Sequence, residues 1–242
     1  MVRGESKMMP TEILVRTQGI VKRYGRTQAI NGIEVEIPKG IVVGLVGPNG
    51  SGKSTFLKLL AGVLRPDAGT VTINGLPVGI KTKARVSYQP EIDCLYDWMT
   101  VQQVLDFTAN LVPDWRPKRA DEMIAFLNLD RGVKVRHLSK GMRARLKLVV
   151  TLSRDADLFL LDEPLSGIDP PSRLRIIKTL ISGYEAGRHT IILSTHEVAE
   201  TEGIFERIIF LDKGQIKVDA DAQELRSQHG RSIQGLFEEV YQ

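Results

Sequence analysis

One short stretch, residues 47–55 with the sequence GPNGSGKST, constrains this chain more than any other. It fits Gly-x-x-x-x-Gly-Lys-Ser/Thr, a glycine-rich turn whose consecutive backbone N–H groups surround a phosphate chain. In such a turn Lys53 reaches the terminal phosphates, and the hydroxyl of Ser54 can bind Mg²⁺. The stretch therefore predicts a nucleotide-phosphate site formed by Gly47, Pro48, Asn49, Gly50, Ser51, Gly52, Lys53, Ser54 and Thr55.

The sequence on either side of this loop agrees with the prediction. Residues 41–46 are an apolar run of the length of a buried strand, and residues 54–64 have a helical pattern. Strand, loop and helix thus follow in the order that phosphate binding at a helix N-terminus requires. An ordinary glycine-rich turn is the alternative, and this context makes it the poorer interpretation.

Size, charge and cysteine content narrow the class of protein. The 242 residues suffice for one large α/β domain, or for a core with an inserted subdomain. The net charge of +4 is too small to indicate a nucleic-acid partner by itself. The single cysteine, Cys94, suits a reducing compartment. Since apolar runs fall short of the ~20 residues of a membrane span and no signal core follows Arg3 and Lys7, we expect a soluble, cytoplasmic protein.

The first third of the chain predicts a small antiparallel layer. Residues 1–12 are polar without periodicity and predict a flexible tail, followed by a single domain over residues 13–242. Residues 13–23 and 33–37 have strand patterns, and Asn74-Gly75 predicts a hairpin turn. These strands would lie beside the strand that leads into the phosphate loop.

The remainder of the chain predicts a helical insert and a parallel sheet. Residues 89–139 change to helical periodicity, with one apolar face formed by Val101, Val104, Leu105, Thr108, Leu111 and Val112. A helix from about Ser139, a strand at 158–161, a helix at 171–184 and a strand at 189–193 then alternate, as in a mainly parallel sheet. A hairpin at 208–218 and two short helices follow. We therefore predict a core of residues 13–88 and 140–218, a helical subdomain at 89–139 and C-terminal helices at 219–242.

Candidate catalytic residues follow two of the predicted buried strands. Asp162 and Glu163 come directly after the apolar residues 158–161, at the strand end where open α/β sheets present ligand groups. Asp162 would hold Mg²⁺ through water, and Glu163 would polarise the water that attacks the γ-phosphate. His196 follows the strand at 191–195, where its imidazole could touch the γ-phosphate. A solvated acidic strand end and a structural histidine are the alternatives.

The order of these features resembles the ATPase subunits of ATP-binding cassette (ABC) transporters. The matching features are the loop at 47–54, Gln89, the LSKGM sequence at 138–142, Asp162-Glu163, the SGID sequence at 166–169 and His196. The resemblance extends over about residues 13–218. It implies an α/β fold, namely a P-loop NTPase core with a mainly parallel sheet, an antiparallel β layer and an inserted α-helical subdomain.

The resemblance also implies a head-to-tail pair of cassettes, identical or homologous, that encloses two ATP molecules. Each ATP would lie between one subunit's phosphate loop and the other's signature sequence, where Ser139 and the backbone N–H of Gly141 meet the γ-phosphate. Asp169 would link the two sites. Gln89 would join the core to the helical subdomain, contact Mg²⁺ and sense the nucleotide. Tyr24 matches the aromatic residue that stacks on adenine, with an ordinary strand-end tyrosine as the alternative.

On this basis the chain is expected to be an enzyme that hydrolyses ATP and powers a separate transmembrane permease, held by that partner at the inner face of the membrane. The predicted catalytic residues are Lys53, Gln89, Glu163 and His196, and the predicted Mg²⁺ ligands are Ser54, Gln89 and Asp162. The segment from Gln89 to Val101 resembles bacterial exporters of drugs, antibiotics and polysaccharides.

The signature sequence departs from the usual Leu-Ser-Gly-Gly-Gln, because Lys140 replaces the first glycine and Met142 the glutamine. Ser139 and Gly141, the groups implied to make the contact, remain, so we expect the site to work. Lys140 would bring a cation close to the second nucleotide, or it would be a solvated surface lysine.

Three further interpretations stay open or are less favoured. A basic stretch contains Arg131, Lys134, Arg136, Lys140, Arg143, Arg145 and Lys147. We expect these charges to be spread around a helix as a solvated face, without a nucleic-acid partner, because no aromatic platform accompanies them. A soluble cassette ATPase that drives a non-membrane assembly or a nucleic-acid process is the alternative function. A nucleotide-binding regulator without turnover is less favoured, because Glu163 and His196 are both present.

Overall fold

The computed structural model describes residues 12–183, 187–229 and 232–241. In these ranges the strands are β1 (Ile13–Tyr24), β2 (Thr27–Pro38), β3 (Val42–Val46), β4 (Ala68–Ile73), β5 (Leu76–Pro77), β6 (Val86–Gln89), β7 (Leu158–Asp162), β8 (Thr190–Thr195), β9 (Arg207–Asp212) and β10 (Gln215–Asp221). The α-helices are α1 (Lys53–Leu60), α2 (Ile80–Lys83), α3 (Val101–Leu111), α4 (Pro117–Phe126), α5 (Lys140–Leu152), α6 (Pro170–Gly183), α7 (Ala222–His229) and α8 (Ile233–Tyr241). Short 3₁₀ helices span Val135–His137 and Glu202–Ile204.

A mainly parallel sheet forms the centre of the molecule. Its strand order is β10-β9-β3-β8-β7-β6, and every neighbouring pair except β10 with β9 is parallel. All residues of β3, β7 and β8 are buried, as expected for strands that are covered on both faces. Because β3 lies between β8 and β9, the loop that follows it is placed at the carboxyl edge, beside the ends of β7 and β8.

The predicted antiparallel layer is present as a four-stranded sheet in the order β2-β1-β4-β5. In β2, Ile33, Val35 and Ile37 are buried whereas the residues between them are exposed. The predicted turn at Asn74-Gly75 has left-handed φ values of 50° and 72°, as two-residue hairpin turns require. The sheet therefore has one face on the core and one face in solvent.

Two apolar clusters lie on opposite faces of the central sheet, and β7 contributes to both. Leu158 and Leu160 pack in the cluster that contains the antiparallel sheet and α1. Phe159 and Leu161 pack in the cluster that contains α5, α6 and the helical insert. Full burial of one such side chain contributes roughly 1.5–3 kcal/mol, so successive residues of β7 stabilise alternate layers.

Several predicted boundaries need correction. The helix after the phosphate loop ends at Leu60 and not at residue 64, because Gly62 adopts a left-handed turn with φ 68°. The last strand continues to Asp221, so the C-terminal helices begin at residue 222 and not at 219. Leu111, predicted on a buried helix face, is 63% exposed at the end of α3. Position 184, the predicted end of the helix now called α6, lies outside the described residues.

The helices of the insert pack on the helix that carries the signature sequence. Helix α3 begins with a capping box in which Thr100 accepts from the backbone N–H of Gln103 and the Gln103 side chain accepts from that of Thr100. Val101, Val104 and Leu105 of α3 are buried in the same apolar cluster as Leu146 of α5. Among the described residues, no helix has the combination of length and apolar character that crossing a membrane requires.

Candidate nucleotide-binding and catalytic site

The phosphate loop joins β3 to α1 and depends on two glycines. A Cβ atom on Gly47 would lie 2.2 Å from the carbonyl oxygen of Leu211, and one on Gly52 would lie 2.5 Å from that of Ala29. Gly52 also has a φ of 111°, which L-residues rarely adopt. Any side chain at either position would displace neighbouring backbone, so the loop tolerates only glycine there.

The back of the loop is held by the β9–β10 hairpin and by the last described helix. The N–H of Gly214, in the hairpin turn, donates to the carbonyl of Ser51 over 2.8 Å. The hydroxyl of Tyr241 in α8 donates to the carbonyl of Leu211 over 2.9 Å, the same oxygen that lies against Gly47. Burial, together with the charge of Asp212, raises the pKa of Tyr241, so its hydroxyl stays protonated as a donor. The sequence analysis missed Tyr241, because nothing in a C-terminal helix indicates contact with a loop so distant in sequence.

Lys53 is buried and directed into its own loop. Its ammonium donates to the carbonyl of Gly47 over 2.7 Å and to that of Pro48 over 3.2 Å. It also lies 3.2 Å from Oε1 of Glu163. The structure therefore places two predicted catalytic residues in direct contact, where a phosphate bound to the loop would share the ammonium with Glu163.

Asp162 at the end of β7 organises the predicted Mg²⁺ site. Its Oδ1 accepts from the hydroxyls of Ser54 and Ser194, both over 2.9 Å, and its Oδ2 accepts from Tyr88 over 3.2 Å. Burial and the charge of Asp162 raise the pKa of Tyr88, which keeps its hydroxyl a donor. One hydroxyl and one carboxylate in contact fit Mg²⁺, which takes few protein ligands beside water and substrate phosphates. Sequence analysis missed Tyr88 and Ser194, although each is the last residue but one of its strand, at the ligand-facing edge.

Glu163 has an unusual backbone and two side-chain partners. Its φ is 46°, in the left-handed region, and its N–H donates to the hydroxyl of Ser194 over 3.0 Å. Nδ1 of His196 lies 2.9 Å from Oε2 of Glu163, while Lys53 contacts the other oxygen. The carboxylate is thus held between a cation and an imidazole, the arrangement of a group that orients or deprotonates water.

Gln89 is placed differently from the other predicted catalytic residues. It is the last residue of β6, paired with Leu161, and only 2% exposed. Among the described residues its side-chain oxygen and nitrogen have no hydrogen-bond partner. Gln89 does line a cleft of about 270 Å³ that Glu163 and Glu91 also line. The contact of Gln89 with Mg²⁺ remains a prediction. Sequence analysis did not identify Glu91 as a cleft residue, because it considered the segment that contains Glu91 only for its resemblance to exporters.

The signature residues lie at the start of α5 and contact the loop that precedes α6. Ser139 is exposed and caps α5, since its hydroxyl accepts from the N–H of Met142 over 3.2 Å. A Cβ on Gly141 would lie 2.9 Å from Oγ of Ser172 and 3.1 Å from Oδ1 of Asp169. Hydrogen bonds from the side chain and from the N–H of Ser172 lower the pKa of Asp169. The signature sequence and Asp169 are therefore packed together within one chain.

The two residues that depart from the usual signature both contact their own chain. Met142 is partly buried and packs against the larger apolar cluster, as an apolar side chain favours. The ammonium of Lys140 lies against Gly167, since a Cβ there would be 2.0 Å from its Nζ. Tyr24, the predicted adenine contact, ends β1 with 49% of its surface exposed, as a stacking ring requires.

The expectation of a solvated basic face is wrong for much of α5. Arg143 contacts Asp93 and Asp97, Lys147 donates to two backbone carbonyls, and Arg145 donates to Leu127 and Ser172. Lys140, Arg143 and Lys147 recur at spacings of three and four, which places them in one row along the helix. We call these three residues the basic row.

Fold and site together define a phosphate-loop nucleotide-binding domain in which Asp162 contacts the loop serine and Glu163 contacts the loop lysine. Comparison with known proteins gives the family. The family model for ABC transporters matches residues 30–166. The daunorubicin/doxorubicin resistance ATP-binding protein DrrA of Streptomyces peucetius is 34% identical over 90% of this chain and 68% of its own length. The solved ATP-binding subunit of an ABC transporter has a TM-score of 0.82 and 26% identity, over 95% of this chain and 100% of that one.

The chain belongs to the ABC transporter family, as one of its ATP-binding subunits. Another relative, an ABC transporter ATP-binding protein of Synechocystis sp., is 33% identical over 83% of this chain. This chain spans 58% of the length of that relative. ATP hydrolysis, with Mg²⁺ as the usual ion, is the characteristic activity of these cassettes, which work as dimers with a membrane permease. The predicted family and fold are thus confirmed, and ATP hydrolysis with ATP and Mg²⁺ is confirmed as the activity and cofactors of that family.

Proposed function

We propose that this chain hydrolyses ATP to drive export through a separate membrane permease, with its catalytic centre at the contact of Lys53, Glu163 and His196. The observation that carries the proposal is the placement of Glu163 between the loop lysine and the imidazole, 3.2 and 2.9 Å away. The relative DrrA is named for resistance to two drugs, which supports the direction of export.

The side chains divide the chemistry between them. Lys53 binds the terminal phosphates, while Glu163 orients the attacking water and accepts its proton as phosphoryl transfer proceeds. His196 fixes the Glu163 carboxylate and contacts the γ-phosphate from the next strand. Mg²⁺ held by Ser54 and Asp162 would neutralise charge on the phosphates.

A second cassette completes the site in this proposal. Ser139 and the N–H of Gly141 stand at the N-terminus of the 13-residue helix α5, whose dipole favours an anion. Their contribution goes to the ATP bound by the phosphate loop of the other subunit, and Asp169 links the two sites. Tyr24 stacks on adenine within its own subunit.

The permease docks on an exposed aromatic cluster beside the cleft. Tyr96 contacts Trp98 and Phe107, with ring centroids 5.9 and 5.8 Å apart. The three side chains are 50%, 63% and 41% exposed. Exposed apolar patches of this kind mark interaction sites, and a short helix from a partner fits such a surface. Docking there holds the chain at the inner face of the membrane.

Substitution of the aromatic cluster tests the docking site. Trp98→Ala and Tyr96→Ala are expected to abolish co-purification with the permease and to abolish transport, with folding and basal ATPase intact. Ile80→Ala is the control, because Ile80 is 90% exposed on α2, outside this cluster. Unfolding, or loss of basal ATPase alone, would mean that these rings only pack the helical insert.

The enzymatic part has its own test, which needs no permease. The purified chain is expected to release phosphate from ATP, and removal of Mg²⁺ by EDTA should stop the release until Mg²⁺ is restored. Release that continues at the same rate in EDTA would refute the assigned site.

A further inference from the structure

Two residues of the basic row, Arg143 and Lys147, contact a single short segment of chain. Residues 90–97, which we call the cleft segment, follow β6, and Glu91 and Asp93 of this segment line the cleft that Glu163 also lines. Arg143 binds the side chains of Asp93 and Asp97 in this segment, whereas Lys147 binds its backbone. The helix that begins at the signature sequence is therefore attached to the cleft segment at two levels.

Lys147 makes the more specific of these attachments. Its ammonium donates to the carbonyls of Glu91 over 2.9 Å and of Ile92 over 3.2 Å. Burial lowers the pKa of Lys147, against the opposing effect of Asp93 and other nearby acids. Because Lys147 binds backbone carbonyls, it fixes the path of the chain itself. The ion pairs of Arg143 join exposed side chains that can rotate, and solvent screens them.

The cleft segment connects two functional regions. Its beginning lines the cleft with Glu91, in the same cleft as Glu163, and its end carries Tyr96 of the aromatic cluster. A bond that fixes the segment at Glu91 and Ile92 therefore fixes the path from the catalytic cleft to the docking surface.

We propose that Lys147 is a positioning residue that clamps the cleft segment to α5, so that the docking surface and the signature sequence respond to nucleotide as one body. The proposal deepens the docking part of the proposed function and rests on it. Without the clamp, the segment moves independently of α5, and closure of the cassettes on ATP no longer reaches the aromatic cluster.

The chain contains its own reporter for this motion. Cys94 is exposed, lies in the middle of the cleft segment and is the only cysteine in the sequence. The experiment measures the rate at which a maleimide modifies Cys94 in the purified chain, with and without a non-hydrolysable ATP analogue and Mg²⁺. The ratio of the two rates is compared, because any effect of a substitution on the intrinsic reactivity of the thiol is then present in both rates.

In the wild-type chain, nucleotide is expected to change the rate by at least about threefold. In Lys147→Met the ratio should fall close to one, and Lys147→Arg, which keeps a charged donor, should recover it. Lys118→Met is the matched control, because Lys118 is 93% exposed and its ion-pair partner within the described ranges is Glu122, one turn away at 4.0 Å. Should Lys147→Met fail to fold, Lys147→Gln, which can still donate to one carbonyl, is expected to give an intermediate ratio.

Steady-state kinetics provide a second measurement. Lys147→Met should lower kcat by about fivefold and leave KM for ATP within about twofold, because Lys147 contacts the cleft segment and not the phosphate loop. A wild-type ratio of one, or a Lys147→Met ratio equal to wild type, would overturn the proposal. Failure of the docking proposal would look different from failure of the Lys147 proposal. In that case Trp98→Ala would still co-purify with the permease, while the ratio of Cys94 modification rates would still depend on Lys147.

Discussion

The phosphate-loop region and the signature region of this molecule are built in opposite ways. Around the loop, Lys53, Asp162 and Glu163 are at least nine-tenths buried. Lys53 contacts Glu163 and a carbonyl of its own loop, and Asp162 accepts from neighbouring hydroxyls. At the start of α5, Ser139 and Lys140 are exposed. The contacts of Ser139 and Gly141 keep the helix start in place and leave its N-terminus directed outward.

This difference shows which part of the reaction a single chain prepares. Electrostatic catalysis needs groups fixed before the substrate arrives, and the loop region has them fixed by its own hydrogen bonds. In the proposed mechanism the signature region offers a helix N-terminus and a hydroxyl to ATP bound by the other subunit. We therefore predict that substitutions near the loop lower the rate of ATP hydrolysis itself. Substitutions at the signature sequence should impair the dimerisation step, which depends on protein concentration.

The largest effect is expected for Glu163→Gln. Loss of the carboxylate removes the group that orients and deprotonates water, which should lower kcat by roughly 10²–10⁴-fold while ATP still binds. ATP should then accumulate in a closed dimer, measurable by size-exclusion chromatography. Glu200→Gln is the control, because Glu200 bonds Arg173 away from the loop. Wild-type turnover in Glu163→Gln would remove the distinction between the two regions.

The next largest effect is expected for Ser139→Ala, and Thr100→Ala supplies the comparison. Both residues are helix N-caps whose hydroxyls accept from the third residue of the helix. Each substitution should therefore cost about 1 kcal/mol in the free energy of unfolding, measured by denaturant titration. Only Ser139→Ala should also lower ATPase, by about tenfold, because it removes a hydrogen bond to a charged phosphate. Equal ATPase in both variants would leave Ser139 as a cap alone.

A smaller effect is expected for Tyr241→Phe, which tests how far the support of the loop extends. The variant removes the donor to the Leu211 carbonyl and keeps the ring packed on Phe237, 4.7 Å away. The free energy of unfolding should fall by about 0.5–1.5 kcal/mol. KM for ATP should rise by about threefold, because the same carbonyl lies against Gly47. Stability loss with unchanged KM would confine Tyr241 to packing.

The smallest effect is expected for Lys140→Gly, which restores the usual glycine. The ammonium lies against Gly167 of its own chain and is exposed, so its influence on ATP-driven dimerisation should stay within about fivefold at low salt. The effect should shrink further at high salt, whereas ATP binding to the monomer should not change. Light scattering at two salt concentrations measures dimerisation. If Lys140→Gly and the wild-type chain dimerise equally at both concentrations, Lys140 is an ordinary surface lysine.

Sequence alone predicted the features that depend on local pattern. The phosphate loop and the hairpin at Asn74 contain glycine or asparagine in left-handed turns, and the strand that ends at Asp162 is a short apolar run. The alternation of strands and helices after residue 139 was sufficient to predict a mainly parallel sheet.

Features that depend on distant parts of the chain could not be predicted. Tyr241 and Leu211, or Lys147 and Glu91, are brought together by the sheet order and by packing of the insert, which no local periodicity encodes. The basic stretch was wrongly interpreted because charge and spacing do not reveal that backbone carbonyls lie opposite. Helix ends failed for a related reason, since Gly62 ends α1 only in the context of its turn.

The backbone of Glu163 has a consequence for how this protein would respond to selection for heat resistance. A non-glycine residue at φ 46° costs about 1–2 kcal/mol relative to a residue that adopts this conformation readily. Glycine or asparagine at position 163 would relieve that cost, and neither could serve as the base. A screen that rewards melting temperature alone would therefore tend to discard the catalytic carboxylate, so thermal stabilisation of this cassette has to be sought away from the end of β7.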